Sequence, residues 1–178
     1  MPAISPTARA RRTMIRRLFI ASVLLLGACT NQAPLPAFTP HLSLPLQLQL
    51  HVLRDRSDGQ QEGTLMIQRE GQALLWSLTD RHGVLQARQI LNNDTWQTTP
   101  PSPADPQTRE LFAALLFALT SADDIPALYP SAQAMDLTRT LPHHWQIVYQ
   151  SSLVFTVNMQ NPQASYRITP ILPARPLP

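Results

Sequence analysis

Residues Leu111 to Leu119 read Leu-Phe-Ala-Ala-Leu-Leu-Phe-Ala-Leu, nine apolar residues without a break. As a helix rising 1.5 Å per residue they span roughly 13 Å, too short to cross a bilayer. Leu111, Phe112, Leu115, Leu116 and Leu119 share one face at helical spacing, and Phe117 with three alanines covers the rest. A helix apolar nearly all round has to be covered on more than one side. The remainder of the chain must therefore wrap it. Asp105-Pro106 reads as an N-cap followed by Pro at the first helical position, which places the helix start.

The flanking segments have the periodicity of strands. Leu44, Leu46, Leu48, Leu50 and Val52 alternate with Pro45, Gln47, Gln49, His51 and Leu53, which puts an apolar set on one face. Asp55 to Gly59 reads as a turn, and Gly63 to Arg69 as a second strand with Leu65 and Ile67 inward. Glu70-Gly71 signals a hairpin. Leu74, Trp76 and Leu78 define a third strand, and Leu85, Ala87 and Leu91 a fourth, with a short one around Trp96. The four glycines after Gly27 all sit in or beside these turns, in keeping with an antiparallel meander. After the helix, Pro130 to Leu137 is expected to form a second, short helix. Three strands then follow, with Trp145, Ile147 and Tyr149, then Leu153, Phe155, Val157 and Met159, then Tyr166 and Ile168 inward.

The N-terminal segment carries a different signal. Arg11, Arg12, Arg16 and Arg17 precede an apolar run from Leu18 to Leu26, which closes in Leu26-Gly27-Ala28-Cys29. Basic region, short apolar core and small-residue cleavage site are the parts of a secretory signal. The four closing residues resemble a bacterial lipobox. That likeness implies cleavage after Ala28 and a lipid anchor on Cys29, which is the only cysteine. The alternative, a transmembrane anchor, wants roughly 20 apolar residues, and Leu18 to Ala28 is only 11 long. Met14 opens a complete signal of its own, so both Met1 and Met14 are open as starts. Cleavage would remove five of the 14 basic residues and leave nine against 11 acidic ones, a net charge of −2. With no basic stripe after Cys29, nucleic acid is not an expected partner. No lysine is present, which excludes a lysine Schiff base. Residues 29–43, with three prolines from Thr30 to Ser43, read as an extended tether, and 44–178 as one domain.

This segment order behind a lipobox is similar to the bacterial lipoprotein carrier and receptor (Lol) superfamily. It most resembles Lol-like lipoproteins encoded beside aryl-polyene biosynthesis genes. The likeness runs from about Leu44 to Ile171. It rests on Leu78-Thr79-Asp80-Arg81-His82-Gly83, on the Leu111–Leu119 helix with Leu128-Tyr129-Pro130, and on Ser165-Tyr166-Arg167-Ile168. It implies a mainly β fold, an unclosed antiparallel half-barrel with one or two helices covering its concave face. It also implies an apolar cavity for acyl chains or a lipid-like polyene. The residues expected to line that cavity are Leu46, Leu48, Leu50, Leu65, Ile67, Leu74, Trp76, Leu78, Leu111, Phe112, Leu115, Leu116, Leu119, Ile147, Phe155 and Val157. Membrane-bound receptors of that family carry an exposed apolar residue at a loop tip before Gly. Here the corresponding tip is Arg81-His82, a departure from the pattern. The implied setting is the periplasmic face of a Gram-negative outer membrane, with a soluble periplasmic carrier as a partner; Thr30 after the cysteine resembles lipoproteins passed on to that membrane.

No nucleophile elbow, zinc-protease motif or phosphate loop occurs in the sequence. His143 and His144 are adjacent, and on a strand would point to opposite faces, so no metal site is expected. No cofactor and no enzymatic activity are expected. Two readings of the apolar helix stay open. As plain core it packs under the sheet and binds nothing, and the chain is an accessory lipoprotein that binds partner proteins. As a lid it covers a cavity that takes a lipid.

Overall fold

A computed structural model describes residues 33–38, 40, 42, 44–45, 47–56, 59–92, 95–99, 106–160 and 163–171. Met14, Ala28, Cys29, Leu46 and Asp105 lie outside the described residues. The elements run β1 (Gln47–Arg56), β2 (Gly59–Glu70), β3 (Ala73–Asp80), β4 (Leu85–Asn92), β5 (Thr95–Thr98), α1 (Pro106–Leu119), α2 (Ile125–Leu128), β6 (Gln133–Met135), β7 (Thr138–Leu141), β8 (Trp145–Ser151), β9 (Val154–Gln160) and β10 (Gln163–Pro170). All strand pairs are antiparallel, and the ten strands form one sheet in the order β5-β4-β3-β2-β1-β10-β9-β8-β7-β6. The sheet is mainly built of hairpins and is not closed into a barrel.

The order explains where α1 must go. Two meanders meet at the β1–β10 pair, which leaves β5 and β6 as the two edges. The connection from β5 to β6 has to pass from one edge to the other, and α1 is that connection. Trp76 on β3 lies 5.6 Å from Phe112, while Trp145 on β8 donates its indole N–H to Glu110 at 2.6 Å. Those two strands are five steps apart in the sheet, about 24 Å if it were flat. A helix is only about 10–12 Å across. Residues two positions apart on α1 reach both strands because the sheet curls around the helix, so α1 occupies the concave face.

Packing follows from that curl. Leu111 to Ala118 are exposed by no more than 4%. The inward rows of both meanders meet them: Leu48, Leu50, Val52, Leu65, Ile67, Leu74 and Trp76 from one, Trp145, Ile147, Phe155, Val157, Met159 and Ile168 from the other. Burying Leu111, Phe112, Leu115, Leu116 and Phe117 contributes on the order of 10 kcal/mol before conformational entropy is set against it. That burial, more than intrinsic propensity, holds a 14-residue helix in place.

Several local expectations change. The β1–β2 ladder continues to Arg56↔Gly59, so the strands are longer than the apolar pattern shows. Gln60 to Glu62 are exposed and pair with β1 through the backbone ladder, to which the Gln60 side chain adds a bond to Asp55 Oδ1 at 2.8 Å, and neither needs an apolar side chain. Gly63 is buried within β2, where a Cβ would come within 2.7 Å of the Thr79 carbonyl. On β4 an extra residue, Gln86, shifts the register, so Ala87 faces Leu78 but Leu85 faces Thr79. Leu85 is thereby turned off the inner face and is 36% exposed.

The short helix expected over Pro130–Leu137 is absent. Helix occurs earlier, at Ile125–Leu128, where Pro126 suits a first turn. Gln133–Met135 is an edge strand instead, and Asp136 turns the chain with φ 49° into β7. The stretch read as a tether docks on the domain from Ala33 onward. Ala37 donates its N–H to the Leu128 carbonyl, Leu42 is buried, and Arg69 donates to the Leu42 carbonyl at 2.7 Å. Among the described residues no helix is long and apolar enough to cross a membrane.

Candidate functional site

The residues expected to line an acyl cavity are brought together, but around the helix and not around a space. Leu48, Leu50, Leu65, Ile67, Leu74, Trp76, Leu111, Phe112, Leu115, Leu116, Ile147, Phe155 and Val157 are buried in one continuous cluster with α1 at its centre. Leu78 and Leu119 pack at its margins, partly buried. Leu46 lies outside the described residues. Open space begins where the helix ends, and it is this space that offers room for a ligand.

At the C-terminal end of α1 lies a cleft of about 620 Å³. Leu44 and Pro45 line it on one side, Ala118 to Ala122 along the helix end, Ala134 and Asp136 to Arg139 on the β6–β7 side, and Tyr149 and Ser151 to Leu153 on the β8–β9 side. Its volume falls in the range of small-molecule sites. Leu44, Leu119, Leu137 and Leu153 give it apolar walls. Leu137 forms an exposed lip, 62% accessible, next to Met135 at 77%.

One charged side chain sits at the cleft's floor. Arg139 is 9% exposed, and its Nη1 donates to the carbonyls of Phe117 and Thr120, each at 2.8 Å. Its guanidinium lies 5.6 Å from the Phe117 ring centroid and 5.5 Å from that of Tyr149. The last carbonyls of a helix have no partner within the helix. Here α1 has no glycine after it and no basic residue in its own last turn, so neighbours cap it. Arg139 takes Phe117, the Tyr149 hydroxyl donates to Ala118 at 2.8 Å, and Thr120 donates from N and Oγ1 to Leu116. A cation at this end also opposes the helix dipole. Burial pushes the Tyr149 phenol up to about 12, against a smaller opposing effect of Arg139, so it stays a neutral donor. Among the described residues no carboxylate forms an ion pair with Arg139.

A smaller cavity of about 280 Å³ lies at the opposite end of α1. Its lining is more polar: Arg54, Glu62, Asp80, Gln107 and Thr108 beside Val52, Leu78 and Leu111. Arg54 donates to the Gln107 side chain at 3.1 Å and stacks over Tyr166. Nearby, Glu110 accepts from Trp145 and stands 3.9 Å from His144. Burial raises its carboxyl above the usual range, partly offset by the Trp145 N–H and by His144.

Arg81 and His82 sit at the exposed β3–β4 turn, as the loop reading places them. Asp80 organises that turn: its Oδ1 accepts from the His82 and Val84 amides, and its Oδ2 from Gln86. Those backbone bonds hold the Asp80 carboxyl below its ordinary value. The apolar group at this hairpin is not the tip but Val84, 57% exposed, one residue after Gly83. His143 and His144 belong to the turn between β7 and β8, and His143 adopts a left-handed conformation. Among the described residues no three metal-ligating side chains cluster.

Arg139 and the cleft were not visible in the sequence. In Thr138-Arg139-Thr140-Leu141 an arginine reads as outward polar. Its register partner Ile147 is an inward residue, which turns Arg139 to the inner face. No protein-family model and no curated protein matches the chain.

Proposed function

We propose that this chain is a lipid-anchored lipoprotein of the outer membrane's periplasmic face that holds an acyl chain or lipid-like molecule without chemically altering it. The observation that carries this reading is the cleft at the C-terminal end of α1, with apolar walls, ligand-sized volume and an exposed apolar lip. The lipobox at Leu26–Cys29 supports the anchor. Leu48, Leu50, Leu65, Ile67, Leu74, Trp76, Ile147, Phe155 and Val157 are the wall that a longer chain would meet if α1 were displaced. A ligand held without such displacement rests on Leu44, Leu119, Leu137 and Leu153.

The test is the lipid that travels with the protein. Full-length protein is purified from membranes, non-covalent lipid is extracted, and the covalent anchor is counted separately. About one apolar molecule per chain is expected. Its absence would favour a second reading, the accessory lipoprotein that binds partner proteins and holds no ligand. That alternative has its own support in the complete packing of Leu111–Ala118.

A further inference from the structure

Resting on the acyl-binding reading, we propose that the cleft selects amphiphiles with an anionic head, a carboxylate or a phosphate, and that Arg139 receives the head while Leu119, Leu137 and Leu153 hold the chain.

The argument starts from an imbalance of charge. Arg139 is more than nine-tenths buried, yet among the described residues its only hydrogen bonds run from Nη1 to two carbonyls. A guanidinium has five N–H donors in a planar fork. Nη1 uses both of its hydrogens, which leaves Nε and Nη2 without a protein acceptor. Arg139 lines the cleft, so an acceptor for these donors can come from a molecule held there. Carbonyl dipoles and two aromatic faces offset a buried cation only in part. A buried charge is ordinarily paired. The free edge matches the two oxygens of a carboxylate or a phosphate, and in a site walled by leucines such a bond is stronger than in water.

Other groups around the cleft are compatible with this. Asp136 is the one carboxylate lining it, exposed to solvent on the β6–β7 turn, where water screens its charge. Tyr149 donates its hydroxyl hydrogen to Ala118, and its ring face packs on the guanidinium. Ser151 and Ser152 line the opposite rim. A chain anchored by its head at Arg139 has the apolar walls on either side and Leu137 at the exit.

The experiment uses full-length protein in phosphatidylcholine vesicles and two photoreactive probes of equal length, a diazirine-bearing palmitic acid and the corresponding hexadecanol. Labelling of cleft peptides by the acid is expected to exceed that by the alcohol about tenfold, the worth of one charge-assisted bond. Arg139→Gln should remove the preference and Arg139→Lys should keep part of it. Because Arg139 also caps α1, the comparison of heads on the wild type decides the matter even where a variant does not fold. Unlabelled palmitate and lysophosphatidate, added as competitors, identify carboxylate or phosphate as the better head by which one suppresses labelling at lower concentration. Equal labelling of the wild type by acid and alcohol overturns the head-group inference and leaves the acyl cleft standing. No labelling of the cleft by either probe overturns the acyl-binding reading itself.

Discussion

Single residues on the inner face record where the packing is incomplete. Gln89 on β4 is 1% exposed, and neither its amide nitrogen nor its oxygen has a partner. Trp76 and Thr98, its neighbours across β3 and β5, also carry unpartnered polar atoms. Leaving a buried polar group unsatisfied costs about 1–3 kcal/mol. Gln89→Leu keeps the volume and removes the amide, so urea denaturation should show a gain of about 1 kcal/mol. A loss instead would show that ordered water pairs this amide. Glu110 gives a pH-dependent counterpart. Its side chain is 13% exposed, and burial raises the carboxyl above the ordinary value near 4.5. The folded state therefore binds this proton more tightly than the unfolded chain does. The stability it contributes is full below about pH 4.5 and is lost as pH rises through the raised value. Glu110→Gln can still accept from Trp145 and has no proton to lose. Its melting temperature relative to wild type should climb between about pH 4 and pH 7. A pH-independent difference would contradict the assignment.

At the scale of the element, α1 carries the fold. Its length and start were legible, because nine unbroken apolar residues after Pro106 admit few other structures. Most of the capping of its end was not, because beyond Thr120 the caps of Phe117 and Ala118 come from β7 and β8, more than 20 residues away in sequence. The strands were legible where one face is buried. Leu48-Gln49-Leu50-His51-Val52 shows clean alternation, and so does Phe155 to Met159. The β6 strand Gln133–Met135 is exposed on both faces at a sheet edge and leaves no apolar period to read. Gln60 to Glu62, on a strand inside the sheet, are likewise exposed and show no apolar period. Since Leu116 is fully buried at the centre of the packed helix, Leu116→Ala should cost about 2–5 kcal/mol in chemical denaturation. A cost well below 2 kcal/mol would mean that the sheet relaxes around the void, as a movable plug would allow.

At the scale of the domain, the described residues form a sheet whose two edges are joined by the helix it encloses. That topology fills the concave face, and the two cavities that touch α1 lie at its ends. Apolar patterning identified the residues that surround the helix. It could not tell a filled interior from an open one, because the same leucines serve either. On the proposed reading the ligand sits at the C-terminal end of α1 and not beneath it. Leu119 separates these positions, being partly buried at the core margin and lining the cleft. An indole at this position fills cleft space and leaves the Leu111–Ala118 packing intact. The deciding measurement is the non-covalent lipid recovered per chain from wild type and from Leu119→Trp, each with its melting temperature. About one lipid is expected for the wild type, and a several-fold loss for Leu119→Trp at nearly unchanged melting temperature. Full lipid occupancy in folded Leu119→Trp, or none in the wild type, would rule out this placement of the ligand.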